Sequence, residues 1–436
     1  MISANWKQLH EESTVACLHS HPTLKMSLFG KDMASSKRKP LAKIFANSFW
    51  PMSSRTNFDK LDAGSLNIQL STVYVPEEQW FLDLPLLRAL RWLAPSVRKL
   101  LKPDYFTTTM GLFDLLEEQV DRFNAKHVSI HTDGAYGLSS WPSQISVVKN
   151  VAELDAALIK KSIAVIHSVE GAHSLQGPAW GKIVDPSVTD FSYHEQRDEA
   201  IENLEKLHAR GVAYLTLAHF YPNCCVNSPC FPYPEYGFKF LRKKGLLDKW
   251  DHTQGLTPLG EMIVTRMLEL GMLIDTTHLT PVARARVYEI VDHYGKDSCV
   301  ISSHTGAYSI NPDPYCLRDW EIKWMADHGC VIGVIFMNYW LSPTDTHLGL
   351  KYLIQTIEHM ASVGGPEVVA LGTDFDGFTD PPDEIKDMSE LSRLTRELTS
   401  LMSGVGERTF SDNDVGNIMG GNALRVLRAG WTGPTA

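Results

Sequence analysis

The chain has 436 residues, 44% hydrophobic and 21% charged, enough for a large core built as two average domains or as one large α/β barrel with insertions. A formal net charge of -10 and a pI near 5.9 argue against nucleic acid or an anionic membrane surface as partner. The seven cysteines are odd in number and include no CxxC pair, which argues against a secreted disulfide framework and for a reducing compartment.

The first residues, MISANWKQLHEEST, lack the apolar core of a signal peptide. The longest apolar stretch, CVIGVIFM, is far too short to span a bilayer, and RVLRAGWTGPTA carries no hydrophobic anchor signal. These features predict a soluble, cytoplasmic protein with no membrane partner. Short runs rich in Val, Ile, Leu and Thr then follow in order: VACLHSH, SLNIQLSTVYV, SIAVIHSVEG, GVAYLTLAH, GMLIDTTH, CVISSH, CVIGVIFM and VVALGTDFDG. Near-continuous apolar runs suit parallel strands buried on both faces. Amphipathic segments such as PLGEMIVTRMLEL, PVARARVYEIVDHY and HLGLKYLIQTIEHMA alternate with the later ones. The pattern predicts a single α/β unit over 1–436, a (β/α)8 TIM-type barrel with long insertions after strands 1, 2 and 4.

The first insertion, 25–62, reads as a long loop whose SSKRKP charges form a solvated face. The second, 77–160, carries helices around FLDLPLLRALRWLAPSVRKLL and MGLFDLLEEQVDRF; the third, 220–257, is rich in Pro, Cys, Tyr and Phe. The first two follow strand ends and should cover the mouth; together the insertions should restrict the pocket to small substrates. Cys17, Cys299 and Cys330 fall in strand runs as small hydrophobes. Cys224, Cys225 and Cys230, in NCCVNSPC, lack a fourth ligand and read as structural.

Chemistry gathers where the strands end. Residues i and i+2 of a strand share a face, so His19 and His21 can reach one ion, although that pair alone does not separate ligands from core imidazoles. The later runs end in Glu170, His219, His278, His304 and Asp374. Barrel sites lie at the carboxyl ends of the strands, so these side chains are expected to converge on one mouth. Imidazoles with carboxylates suit zinc or a similar divalent ion. Glu170 follows an apolar strand, is costly to bury alone, and with two oxygens can bridge two ions. Two metals could share a water and lower its pKa to give a hydroxide nucleophile, with Asp374 taking the proton and returning it to a leaving amine.

The order HxH, VEGAH, LTLAHF, IDTTH, SSHTG, GTDFDG and GGNALRVL resembles the membrane (renal) dipeptidase family, peptidase family M19, within the amidohydrolase superfamily of metal-dependent barrels. The likeness runs from about His19 to Leu427, the insertions matching least. It implies that His19 and His21 bind a first zinc, Glu170 bridges, and His278 and His304 hold a second. It also implies that Asp374 is the acid/base, that His219 contacts the scissile group, that Arg318 in YCLRDWEIKWM binds the substrate carboxylate, and that the protein is a homodimer. Two departures stand out. The family has HxD where this chain has His19-Ser20-His21, so the site loses a negative charge and its metals become more electrophilic. The stretch from His304 to Arg318, containing NPDPYC, is longer than the family's.

The strand-end residues predict a metal-dependent hydrolase, and the resemblance implies that it cleaves an amide bond in a dipeptide or similar small N-acyl amino acid. The alternatives are another amidohydrolase reaction, lactone hydrolysis or deacetylation, and a barrel that binds metal or a small ligand without turnover. Among lesser residues, His167 should face away from Glu170, and His173 should shape the site without ligating. Asp275 should support a ligand, and Asp376 should share the face of Asp374. Asn223 is a pocket residue or a loop brace; Gly420, Gly421 and Asn422 should begin the last helix.

Overall fold

The computed structural model describes residues 5–29, 33, 54–79, 104–132, 144–177, 180, 191–230, 251–342, 349–377, 380–402 and 404–434. Among these, nine parallel strands form: β1 (Ala16–Ser20), β2 (Ile68–Val73), β3 (Ile145–Val148), β4 (Ile163–Glu170), β5 (Tyr214–Thr216), β6 (Leu273–Asp275), β7 (Val300–Thr305), β8 (Val331–Ile335) and β9 (Val369–Gly372). Eight of them pair in the order β1-β2-β4-β5-β6-β7-β8-β9. Beyond β9, Ser20 bridges Phe375, and Asp374 N–H donates to the His19 carbonyl at 3.0 Å, bringing the ends of the sheet together. The result is the (β/α)8 barrel that the apolar runs predict, one strand for each run.

The ninth strand, β3, is the one the sequence hides. ISVV is only four residues long and lies within the second insertion. It pairs with the first half of β4, from Ile145↔Ile163 to Val148↔Ile166. It uses the edge that β5 takes further along, at Val169 and Glu170. The first insertion is less loop-like than expected, since Pro22–Phe29 and Phe58–Ala63 are helical. MGLFDLLEEQVDRF lies within one helix, Tyr105–Thr132. The helix expected over 81–101, the SSKRKP stretch and residues 231–250 lie outside the described residues.

Local rules explain how the returning helices begin and stop. Thr257 and Thr280 cap Pro258–Leu270 and Pro281–Tyr294 by accepting from the Gly260 and Ala283 N–H groups, and each helix has Pro in its first turn. Both end at a left-handed glycine, Gly271 and Gly295. The last helix, Asn422–Gly430, starts as GGNALRVL predicts, and its Val426 and Leu427, with Trp431 beyond it, pack in one apolar cluster with Leu18, Leu70, Ile166 and Ile301 of the strands. After β7 the long NPDPYC loop is pinned by a buried pair, with Arg284 donating to Glu321 at 2.6 and 3.0 Å and to the Pro314 carbonyl at 3.1 Å. No helix among the described residues is long and apolar enough to cross a membrane.

Candidate metal centre

Glu170 ends β4 fully buried, and five imidazoles surround it. The Nε2 atoms of His19, His278 and His304 lie 3.5, 3.4 and 3.5 Å from its Oε1. Those of His21 and His219 lie 3.2 and 3.4 Å from Oε2. Asp374 completes the group, with Oδ1 3.2 Å from His21 Nε2 and 3.8 Å from His19 Nε2. The strand ends therefore bring together six of the predicted site residues around the seventh. His278 and Asp374 leave their strands in left-handed backbone, φ 64° and 53°, a conformation that costs non-glycine residues of order 1–3 kcal/mol. Gly377 is glycine because a Cβ there would sit 2.3 Å from Asp374 Oδ1 and 2.7 Å from His21 Cδ2.

For His19, His304 and His278 the hydrogen bonds decide which nitrogen the ring turns inward. Tyr214 OH donates to the Leu18 carbonyl at 2.9 Å, so it accepts from His19 Nδ1–H at 2.8 Å. Ser303 Oγ donates to Asp275 Oδ2 at 2.6 Å and accepts from His304 Nδ1–H at 2.9 Å. His278 Nδ1 faces the Cys230 carbonyl at 3.4 Å. Each Nε2 is then a lone pair pointing at a carboxylate, a repulsive arrangement unless a cation lies between. Glu170 Oε1 has no hydrogen-bond partner although it is buried, which is costly for a charged oxygen. Spacings of 2.9 Å between His19 and His21 Nε2 and 3.2 Å between His278 and His304 Nε2 suit neighbouring ligands of one ion, about 3.3 Å apart for bonds near 2.0 Å in tetrahedral geometry.

Electrostatics agree. Burial pushes His19 and His304 well below the ordinary histidine range, keeping them neutral as ligation requires. Burial also disfavours charge on His21, yet Glu170 and Asp374 outweigh it and lift its pKa to about 10. Burial raises Asp374 to about 6 against the opposing pull of His21. The pocket calls for positive charge between its carboxylates, and the donor set fits a metal ion. Among the described residues, three groupings have ligand atoms within 4.8 Å of one another: His19, His21 and Asp374; His19, Glu170 and His304; Glu170, His219 and His278.

Supporting residues fall around this set. Asp275 accepts from Thr216 Oγ1, Ser303 N–H and Ser303 Oγ, and so orients His304 through Ser303, the supporting contact expected of it. Tyr214 and Ser303 carry no sequence signal for this part; only their place beside the histidines reveals it. Tyr214→Phe removes the acceptor for His19 Nδ1–H and is expected to weaken metal binding about 10- to 100-fold. Competition with a chelator of known affinity measures this, and unchanged affinity would show that Ser303 and Thr72 hold the ring unaided.

Other predicted residues lie apart. His167 faces away, its Nε2 3.0 Å from Glu117, and His173 Nε2 bonds the Val75 carbonyl at 2.8 Å. Asp376 does not share the face of Asp374, because positive φ at both residues (53° and 70°) breaks the extended repeat. It binds Lys25 Nζ at 2.8 Å and the N–H groups of Arg55 and Thr56 instead. Asn223 braces its loop, donating to the Leu217 carbonyl and accepting from Cys225 N–H. Arg318 is exposed, its guanidinium 4.8 Å over the Tyr308 ring, and it lines an outer groove with Val282, Arg286 and Trp320 rather than the histidine cluster. All seven cysteines are free and buried, and none joins a metal-capable group among the described residues. Glu77, just after β2, escaped prediction: its Oε1 lies 3.3 Å from His219 Nδ1.

The sequence model of a family described as membrane dipeptidase (peptidase family M19) matches residues 194–431, more than half of the chain. The chain belongs to peptidase family M19. An uncharacterized protein in the pqqA 5' region of Klebsiella pneumoniae is 30% identical over 184 residues, 42% of this M19 chain and 63% of that protein. Dipeptidase aclJ of Aspergillus oryzae is 26% identical over 225 residues, 51% of this chain and 46% of that one. The chain thus spans about half to just under two thirds of the length of these curated relatives. A metallo peptidase from Rhodobacter sphaeroides, solved with a phosphinate mimic of the dipeptide L-Ala-D-Ala, superposes with a TM-score of 0.64 at 16% identity, covering 96% of this chain and 99% of that one. At that identity the likeness shows the shared barrel.

Proposed function

We propose that this M19 chain hydrolyses the amide bond of a dipeptide or similar small N-acyl amino acid, with two divalent ions, zinc foremost, as cofactor. The observation that carries the proposal is Glu170, one buried carboxylate met by five imidazole nitrogens at 3.2–3.5 Å with Asp374 alongside. His19 and His21, with Asp374 in reach, would hold one ion, His278 and His304 the other, and Glu170 would bridge. Bound ions of this kind polarise a carbonyl and make a water nucleophilic near neutral pH. Asp374 takes the proton that the attacking water gives up and delivers it to the departing amine nitrogen. With a proton on Nε2 as well, His219 faces the scissile group as a donor and stabilises the charge that develops on its oxygen. The family description and the dipeptide mimic bound by the Rhodobacter protein support this substrate class.

The position of Arg318 favours a second reading. With that guanidinium outside the cluster, an N-acyl or lactone substrate without a recognised carboxylate fits the same centre. A panel of L,L- and L,D-dipeptides, offered to zinc-loaded protein with a chelated control, separates the two. Chelator-sensitive cleavage is expected; no cleavage by protein that keeps its metal would move the assignment to the second class. The seven free cysteines support a reducing, cytoplasmic compartment for the reaction.

A further inference from the structure

His219 is the one imidazole of the cluster whose outer nitrogen faces a charged side chain. Glu77 is buried on the segment that leaves β2, in VYVPEE. Its Oε1 lies 3.3 Å from His219 Nδ1 and accepts the Phe220 N–H at 3.1 Å. Its Oε2 accepts the Tyr74 hydroxyl at 2.5 Å, and the Tyr74 ring packs on the His219 ring with centroids 4.2 Å apart. Burial works against the charge of Glu77, but His219 and His173 outweigh it and hold its carboxyl down to about 2. A carboxylate is an acceptor only. The nitrogen facing it must carry a proton, and the opposite nitrogen, Nε2, is left facing Glu170 and the reaction space.

We infer that Glu77 is the positioning residue of His219: by accepting Nδ1–H it fixes which nitrogen the ring presents, while Tyr74 and the Phe220 N–H hold the carboxylate in place. Whatever Nε2 then carries, a flip of the ring would put Cδ2–H in the place of Nδ1–H and forfeit the hydrogen bond to Glu77. In the corresponding place His19, His304 and His278 have neutral partners, Tyr214, Ser303 and the Cys230 carbonyl, and His21 Nδ1 has no hydrogen-bond partner. A full charge thus stands behind the ring that the proposed reaction sets against the scissile group. This inference rests on the proposed role of His219 in amide hydrolysis, but the tautomer itself can be read without any substrate.

Glu77→Ala and Glu77→Gln test it. The Gln amide oxygen can still accept Nδ1–H while its NH2 meets Tyr74, so Gln keeps the orientation that Ala releases. In zinc-loaded protein, Ala is expected to lower kcat about 10- to 100-fold with KM and metal content unchanged, and Gln to restore most of the loss. Nitrogen NMR of 15N-histidine-labelled protein, with the His219 signals identified by their loss in His219→Asn, should show a protonated, hydrogen-bonded Nδ1 in wild type and Gln. That signature should vanish in Ala. An Nδ1 that stays protonated and bonded in Ala, or Ala and Gln equally impaired with metal lost from both, would overturn the inference. If wild type cleaves no dipeptide, the proposed activity fails, and the NMR comparison still decides the role of Glu77.

Discussion

Glu170→Gln should strip the proposed two-ion centre of most of its metal, to one ion per chain or none, and lower turnover at least about 10³-fold. Gln has nearly the shape of Glu, so the barrel loses little packing, but the charge that five Nε2 atoms face at 3.2–3.5 Å disappears. Half of the new amide is an NH2 that would point at imidazole nitrogens as a donor, satisfying them without a cation. Metal per chain, counted after exhaustive dialysis against metal-free buffer, measures the effect. Full retention of two ions would remove Glu170 from the bridge and return the centre to separate sites among the histidines.

Asp374→Asn should do the opposite to the two readouts: kcat falls by about 10²- to 10⁴-fold while metal content stays near that of wild type. Asn tolerates left-handed backbone, so φ 53° is no obstacle. Its side-chain oxygen can still face His21, where Asp374 Oδ1 sits at 3.2 Å. What it cannot do is take and return a proton. Asp376 offers no rescue, since Lys25 and the Arg55 and Thr56 N–H groups already occupy its oxygens. Unchanged turnover would overturn the acid/base assignment, and loss of metal would show that Asp374 serves as a ligand before anything else.

The barrel was legible because parallel strands buried on both faces leave continuous apolar runs, and because such a barrel sends every strand end to one mouth. His19, His21, Glu170, His219, His278, His304 and Asp374 all stand at or just past such ends, which is why a linear reading brings them together. Two kinds of residue escaped it. Asp376 was misplaced because the two-residue repeat holds only in extended chain, and the strand has already turned left-handed at Asp374. Glu77, Tyr214 and Ser303 were missed because nothing in their neighbours' chemistry distinguishes them; each acts on a histidine more than 100 residues away, or on the ring next to it, through a contact that only the closed sheet creates. β3 was missed for want of length, four residues giving no periodicity to read.

The closure of the sheet between Ser20 and Phe375 has a thermodynamic consequence. The groups that meet at Glu170 come from positions 19 to 374 of the chain, and no short segment holds more than two of them. An unfolded or half-closed chain therefore has no site of comparable affinity, and ion binding belongs almost wholly to the native state. By mass action, free ion at 100 times its dissociation constant then adds about 2.7 kcal/mol per site to the unfolding free energy. Loading with metal and locking of the barrel are one equilibrium, so the melting temperature reports occupancy of the centre, whichever substrate it serves.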